Sequence, residues 1–320
     1  MVSKGMTFLH RTLLALALVS PHAAHAVDTP WAHVARPSAG PTHAIGSYAK
    51  GCIAGAVALP LAGTGYEVIR PERNRFYGHP DLIDLISKLG AAVDAAAMGK
   101  LRVGDLGQPR GGPAPSGHAS HQIGLDADLG FALGPRAAGV FQETMVDGKA
   151  QKPLPAFGDA QVKLLRLAAE DPRVDRIFIN PVLKRALCEL PGEPADRAWR
   201  KKTRAWWGHD EHLHVRLHCP SDSPHCQNQA PLDDDEACKK LDWWFRKPAA
   251  ADRKVASDAY GKKVGLAPKL PDECAALIPP EKAGDKATAD PPRDVAGLAT
   301  EKPRRHPKKR HGAHAEAARP

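Results

Sequence analysis

The sequence predicts an α+β fold, in which an antiparallel sheet carries the functional site, helices pack against one side of the sheet, and disulfides bridge the domain. Three observations favour it. Residues 66–70 and 212–217 alternate in polarity as strands do, whereas residues 80–89 and 159–170 carry apolar side chains at helical spacing. The chain also has 6 cysteines among 320 residues, an even number that suits a disulfide-bridged domain.

Local signals mark the elements in the first third of the chain. Residues 27–46 are rich in Pro, Ala, Gly and Ser, which predicts a poorly fixed entry segment. Apolar residues typical of a core begin at 53–61, and a strand over 66–70 follows. A helix is predicted over 80–89, where a His-Pro-Asp sequence begins it and Gly90 ends it.

The clearest helical stripe covers residues 159–170, and Pro172 ends that helix. The other elements predicted after residue 100 are, in chain order, a strand over 101–103, a Gly- and Pro-rich loop over 104–117, a strand over 176–179, a short helix over 181–189 with Pro in its first turn, and a strand over 212–217.

Three regions divide the chain. Residues 1–26 combine early basic residues, a short apolar run and a closing Ala-His-Ala, which predicts a secretory signal peptide cleaved after Ala26. That apolar run is too short to span a bilayer, and we expect no transmembrane segment. Residues 27–278 are predicted to form one folded domain, and residues 279–320, with almost nothing to bury, a disordered basic tail.

The formal net charge of +9 is unevenly distributed, because residues 302–311 supply much of the excess. A basic tail attracts anionic partners such as nucleic acid, phospholipid or acidic cell-wall polymer. A solvated tail is the simpler interpretation, and an exported protein seldom meets nucleic acid. We therefore expect no nucleic-acid partner.

The six cysteines allow 15 pairings, so their connectivity does not follow from number alone. Cys219 and Cys226 are close enough for a small local loop, whereas Cys52 and Cys274 bracket most of the remaining chain. Thiolate ligation of a metal is the competing interpretation. The chain has no CxxC pair, which disfavours it.

Candidate metal ligands concentrate in two short windows, residues 116–128 and 206–217. Five of the 16 histidines fall there, and they are His118, His121, His209, His212 and His214. A lone histidine is more often a surface or core residue than a ligand. Two such windows, each with carboxylates, instead predict a hydrolytic zinc site that leaves one coordination position open.

Strand geometry brings several of these side chains together. His212 and His214 stand two residues apart in a predicted strand and therefore project from the same face. His121 and Asp128 are separated by a loop in which Gly124 can form the bend. Asp126 lies on the same strand face as Asp128, so spacing alone leaves both carboxylates open as the ligand.

A serine-enzyme interpretation arises from Ser47-Tyr48-Ala49-Lys50, which matches the S-x-x-K motif. That motif needs companion SDN and KTG elements, and the chain contains neither. A chance match is the better explanation.

Four segments carry a resemblance to a known family: residues 46–56, 77–82, 117–122 and 212–217. Over about residues 44–275 the chain resembles the penicillin-insensitive murein endopeptidases, which are grouped with lysostaphin-type and D-Ala-D-Ala metallopeptidases. The resemblance implies hydrolysis of the D-alanyl–meso-diaminopimelyl crosslink of peptidoglycan in the Gram-negative periplasm. It also implies attack by metal-activated water, which penicillin does not inhibit.

The same resemblance implies roles for individual residues. His121, Asp128 and His214 match the zinc ligands, which favours Asp128 over Asp126. His212 matches the catalytic histidine, and His118 and His209 match auxiliary active-site histidines, with His118 sometimes counted as a ligand. The implied disulfides are Cys52–Cys274, Cys188–Cys238 and Cys219–Cys226.

One departure from the family bears on metal number. In the family, a second metal would need an Asp and a His shortly after the segment that contains His121 and Asp128. Here Asp147 is present, but Ala150 stands three residues later, where that histidine would fall. We therefore expect one Zn²⁺ site. The alternative to an enzyme is a catalytically inactive peptidoglycan-binding or regulatory protein on the same fold, and the complete set of ligands and catalytic residues disfavours it.

Overall fold

A computed structural model describes residues 29–115, 120–134, 143–194, 197–233, 238–246 and 269–278. The predicted signal peptide, the basic tail and His118 lie outside the described residues. No helix in the described ranges is both long and apolar enough to cross a membrane.

The fold is α+β, as the sequence predicts. The strands are β1 His43–Ser47, β2 Lys50–Ala54, β3 Val57–Ala58, β4 Ala62–Gly63, β5 Tyr66–Val68, β6 Tyr77–Gly78, β7 Leu101–Val103, β8 Asp126–Gly130, β9 Val146–Asp147, β10 Lys152–Pro153, β11 Val174–Ile179, β12 Thr203–Ala205 and β13 His212–Leu217. The helices are α1 Pro80–Ala95, α2 Asp159–Glu170, α3 Pro181–Glu189, α4 Asp242–Phe245 and α5 Asp272–Ala275.

Seven strands form the main sheet in the order β12-β11-β13-β8-β7-β5-β4. The prediction of an antiparallel sheet is wrong at two places, because β11 pairs with β12, and β5 with β7, in parallel. At the centre of the sheet, β13 pairs antiparallel with both of its neighbours, β11 and β8. These three strands carry the candidate site.

Alternation along the central strands separates a polar face from an apolar face. In β13, Leu213, Val215 and Leu217 join the main hydrophobic core, together with residues of α1 and α2. The intervening His212, His214 and Arg216 therefore point to the opposite side of the sheet. Helices α1 and α2 thus cover one face, and the candidate site lies on the other.

Helix α1 begins as predicted and ends later. The His79 side chain caps it by accepting a hydrogen bond from the backbone N–H of Asp81. The prediction that Gly90 ends this helix is wrong, because α1 continues to Ala95. A Cβ on Gly90 would lie 2.6 Å from the Thr64 carbonyl oxygen. This glycine therefore permits close packing of α1 against the turn before β5.

The prediction of a poorly fixed segment over residues 27–46 is also wrong within the described residues. Trp31 is buried and packs with Cys52 and Cys274, and its ring lies where a Cβ on Gly112 would be. Residues His43–Ser47 form β1, which pairs with β2. A single buried indole and one strand pairing fix a segment whose composition is typical of a loop.

All three disulfides have the pairing implied by the family resemblance: Cys52–Cys274, Cys188–Cys238 and Cys219–Cys226. The first joins β2 to α5 across 222 residues. The second connects α3 to the segment that leads into α4. The third closes a short loop after β13.

Candidate metal centre

Register between β8 and β13 builds the core of the site. His214 lies opposite Asp128, and Arg216 lies opposite Asp126. Because residues two apart on a strand share a face, all four side chains project to the same side of the sheet. Sequence reasoning places His212 and His214 on this face, and the pairing adds the two aspartates.

His121 reaches the same point from the loop before β8. Its backbone is in the left-handed region, at φ 68°, which is uncommon for a residue with a side chain. Gly124 has a similar φ of 67°, and a Cβ there would lie 2.6 Å from Ile53 Cδ1. The predicted bend at Gly124 is therefore present, and it turns the chain from His121 into β8.

Three imidazoles surround a single oxygen, Oδ1 of Asp128. Nδ1 of His214 lies 2.9 Å from it, Nε2 of His121 3.4 Å, and Nε2 of His212 3.6 Å. His121, Asp128 and His214 are buried, and each offers a ligand atom within 4.8 Å of the other two. In the described part of the chain this is the one such group of three or more His, Cys, Asp or Glu side chains.

The donor set fits zinc. Two nitrogens and one carboxylate oxygen are common zinc ligands, and two ligand atoms on one tetrahedral zinc lie about 3.3 Å apart. The His214–Asp128 and His121–Asp128 distances of 2.9 and 3.4 Å bracket that separation. Three protein ligands leave the fourth position for water or substrate, as in catalytic zinc sites.

The charge balance also fits a cation. Burial by itself would raise the pKa of both Asp126 and Asp128. The neighbouring arginine and imidazoles lower it by more than burial raises it, so both carboxylates are ionised at neutral pH. Burial alone would lower the pKa of His121, yet the Asp128 carboxylate raises it to about 9. The site thus attracts a proton, and a divalent cation would compete for the same position.

His212 and His209 remain neutral at physiological pH. Burial lowers the pKa of His212 despite its proximity to Asp128. Burial and the adjacent His214 and His212 lower the pKa of His209 to about 3. The His209 ring centroid is 5.1 Å from that of His212 and 5.8 Å from that of His214, so the structure brings this predicted residue to the site.

Asp126 is on the site face, and its described hydrogen-bond partners are His214 and Arg216. Its Oδ1 lies 2.8 Å from Nε2 of His214 and accepts a hydrogen bond of 2.6 Å from Nε of Arg216. Arg216 is itself buried. Its guanidinium therefore pairs with Asp126 beneath the surface.

An aromatic group adjoins the site and extends to the surface. Phe178 of β11 packs edge-on against His214, with ring centroids 5.5 Å apart, and against Trp206 at 5.8 Å. Trp206 is 49% exposed, so core packing does not account for it. Trp207 and Trp244 continue the group. Phe178 was missed in the sequence, although its alternation within β11 would have placed it on this face.

Asp147 is engaged elsewhere. Its Oδ1 accepts hydrogen bonds from the backbone N–H groups of Lys149 and Ala150 within the β9–β10 hairpin. This carboxylate closes a turn, consistent with the sequence argument that a second metal site lacks its histidine.

Fold and site together define a candidate metal-dependent hydrolase: an α+β domain with a buried His-Asp-His group and a neutral histidine beside it. Comparison with protein families is more specific. The family described as penicillin-insensitive murein endopeptidase matches residues 44–279, and the chain belongs to this family. The resemblance noted in the sequence is thereby confirmed.

Individual relatives agree. The chain is 38% identical over 279 residues to a penicillin-insensitive murein endopeptidase of Klebsiella pneumoniae (strain 342), covering 84% of this chain and 98% of the relative. It is 40% identical to one of Yersinia enterocolitica, covering 83% and 95%. It is 44% identical over 229 residues to one of Haemophilus influenzae, covering 68% and 79%.

Proposed function

We propose that this protein is a zinc endopeptidase of the periplasm that hydrolyses D-alanyl–meso-diaminopimelyl crosslinks of peptidoglycan and is insensitive to penicillin. The observation that carries the proposal is the convergence of His121, Asp128 and His214 within 4.8 Å in a chain that belongs to a murein endopeptidase family. These three residues would hold the metal. The relatives' names supply the substrate class.

Zinc, when bound, would supply Lewis acidity toward the amide carbonyl and would lower the pKa of water to about 7. The protein supplies the proton acceptors. His212 is held neutral by burial, and its Nε2 lies 3.6 Å from the Asp128 oxygen that faces the metal position. It can therefore accept a proton from the attacking water or stabilise the developing oxyanion.

His209 would orient water or substrate as an acceptor. Its Nδ1 lies 2.9 Å from the Trp207 carbonyl oxygen, which can only accept a hydrogen bond. In the neutral ring, Nδ1 therefore carries the proton and Nε2 retains its lone pair. His118, which lies outside the described residues, is proposed from the family match as a further auxiliary residue or ligand.

Periplasmic location is supported by three disulfides, which persist in oxidising compartments, and by a wall substrate that lies outside the cytoplasm. The insensitivity to penicillin follows from the chemistry. A site built on imidazoles and a carboxylate offers no serine for a β-lactam to acylate.

The test is digestion of purified crosslinked muropeptide dimers by the mature protein with benzylpenicillin present throughout. We expect conversion of dimers to monomers that stops with a chelator and returns with zinc. The His218→Ala variant is a matched control, because His218 follows β13 directly but is half-exposed and outside the site. It should cleave as the wild type does.

Two results would contradict the proposal in different ways. Stoichiometric zinc without cleavage of any crosslink would favour the inactive binding protein on the same fold. Cleavage that survives complete removal of metal would exclude the metal-dependent mechanism.

A further inference from the structure

We propose that Asp126 is a positioning residue that fixes His214 so that its Nδ1, and not its Nε2, faces the metal. The proposal rests on the proposed function in one respect, because it requires a metal bound by His121, Asp128 and His214. It assigns a role to a carboxylate that sequence spacing leaves open as a rival ligand.

The His214 ring lies between two carboxylates. Nδ1 is 2.9 Å from Oδ1 of Asp128, on the side shared with His121, and Nε2 is 2.8 Å from Oδ1 of Asp126 on the other side. That same Oδ1 accepts a hydrogen bond from Nε of Arg216 at 2.6 Å, so it serves Nε2 as an acceptor and Nε2 must carry the proton. The lone pair is then left on Nδ1, where the metal would bind.

Arg216 fixes Asp126 in turn. It lies directly opposite Asp126 in the β8–β13 register and donates from Nε to Oδ1 at 2.6 Å. The guanidinium donates a second hydrogen bond to Gln229 at 2.5 Å and stacks over the Tyr48 ring at 3.7 Å. The arginine is therefore held on three sides, and it determines where the carboxylate stands.

Both hydrogen bonds of Asp126 use the same oxygen. Its other oxygen, Oδ2, is buried and has no hydrogen-bond partner among the described residues. The carboxylate is thus oriented through Oδ1 alone, toward His214 and Arg216. This arrangement disfavours Asp126 as a ligand, because the oxygen that approaches His214 is already engaged by both His214 and Arg216.

A carboxylate behind a ligating imidazole has two known effects. It selects one tautomer and ring orientation, and it makes the ligating nitrogen more basic. Loss of such a partner costs about 10- to 100-fold in metal affinity. Asp126→Asn should show this loss, since asparagine keeps the shape of the side chain but removes its charge.

The experiment measures zinc affinity of the full mature protein by competition with a chromophoric chelator. We expect Asp126→Asn to bind zinc about 10- to 100-fold more weakly than the wild type. At saturating zinc its KM for muropeptide dimers should equal that of the wild type, because the described hydrogen bonds of the Asp126 side chain are to His214 and Arg216, neither of which is expected to bind substrate.

Asp175→Asn is the matched control. Asp175 is also buried, lies on the neighbouring strand β11, and accepts a hydrogen bond of 2.7 Å from an arginine Nε. Among the described residues its side-chain polar contacts are with Arg176 and His218, and neither is a proposed zinc ligand. A general effect of losing a buried carboxylate paired with arginine would therefore appear in both variants, whereas the proposed effect appears only at Asp126.

A second measurement needs no variant. In zinc-loaded wild-type protein labelled with ¹⁵N-histidine, the His214 ring should show a proton on Nε2 that exchanges slowly, and a metal-bound shift at Nδ1. A proton on Nδ1, or unchanged zinc affinity in Asp126→Asn, would overturn the proposal. A wild type that binds no zinc would instead contradict the proposed function, so the two failures are distinguishable.

Discussion

His214 and Asp128 stand directly opposite each other on the antiparallel strands β13 and β8, and their facing atoms Nδ1 and Oδ1 are 2.9 Å apart. His212 lies two residues earlier on the same face, with its Nε2 3.6 Å from the same oxygen. The two histidines are thus alike in position and differ in proposed role, which makes them separable by mutation.

We expect His214→Ala to lose both zinc and activity, because one of three protein ligands is gone. His212→Ala should keep about one equivalent of zinc and lose about 10²- to 10⁴-fold in kcat, the usual contribution of a general base. Zinc content by elemental analysis and dimer cleavage check the pair. Full activity in His212→Ala would show that the roles are wrongly assigned.

A second prediction concerns Gly90 in the interior of α1. Alanine favours a helix over glycine by about 1 kcal/mol, yet a Cβ here would lie 2.6 Å from the Thr64 carbonyl oxygen and 2.8 Å from Tyr66 Cδ1. Because overpacking costs about 1–3 kcal/mol, we expect Gly90→Ala to lower the free energy of unfolding.

Urea unfolding measures the effect of Gly90→Ala. The control is Gly148→Ala, where an added Cβ meets nothing within 4 Å and the change should stay within about 0.5 kcal/mol. A stabilised Gly90→Ala variant would mean that helix propensity outweighs the packing against β5.

Gly90 also shows where sequence reasoning fails. A glycine after a helical stripe is typical of a helix end, and only the contact with Thr64 reveals that it serves packing. Helix α3 and strand β13 were predicted to the residue, because a proline in the first turn and strict alternation are local signals. Trp31 was missed because its burial depends on Cys274, more than 240 residues away.

In the site, too, some features follow from local sequence and others depend on contacts between distant residues. The common face of His212 and His214 follows from strand alternation, and the Gly124 bend follows from residue type. The choice between Asp126 and Asp128 does not follow from local sequence, because both lie on that face. Only the register with β13 places Asp128 beside Nδ1 of His214 and Asp126 beside Nε2. Long-range pairing supplies what local pattern leaves open.

A third prediction concerns pH and stability. Arg173 donates to Asp171 at 2.7 Å and to Asp84 of α1 at 2.7 Å, thereby tying α1 to the end of α2. The Arg173 guanidinium lowers the pKa of Asp171, and Lys88 followed by Arg173 lowers that of Asp84. Lowered carboxyl pKa values stabilise the fold above the ordinary value of 3.8, and this contribution is lost as pH falls through the folded-state values.

We expect Arg173→Gln to cost about 1 kcal/mol at pH 7, since the groups are partly exposed and screened. The difference from the wild type should shrink below about pH 4, where the carboxylates protonate. Arg166→Gln is the control, because Arg166 pairs with Glu170 on an exposed helix face and should matter little. A difference that stays constant down to pH 3 would exclude the electrostatic explanation.

A fourth prediction compares two disulfides. On the chain-entropy model, replacing the Cys52–Cys274 pair by serines should lower the free energy of unfolding by about 5 kcal/mol, because that bridge spans 222 residues. The Cys219–Cys226 pair spans 7 residues and should cost about 2 kcal/mol. Urea unfolding of both double variants tests the order, and equal losses would show that chain entropy does not govern their contributions.

The last prediction concerns substrate contact at the aromatic group. Trp206 is 49% exposed and reaches His214 through Phe178, so substrate bound at the metal would lie beside its ring. Losing one such aromatic contact costs about 1 kcal/mol, which corresponds to about a fivefold rise in KM. We expect Trp206→Ala to show that rise with zinc content and kcat unchanged.

Trp243→Ala is the matched control for this effect. Trp243 is similarly exposed, at 43%, but its described ring contacts are with Trp207 and Trp244 and not with Phe178, the ring that packs against His214. Its removal should leave KM for a muropeptide dimer close to the wild-type value. Equal rises in KM for the two variants would show that the tryptophans act through the general stability of the aromatic group. Loss of zinc in Trp206→Ala would show that this ring supports the metal ligands and not the substrate.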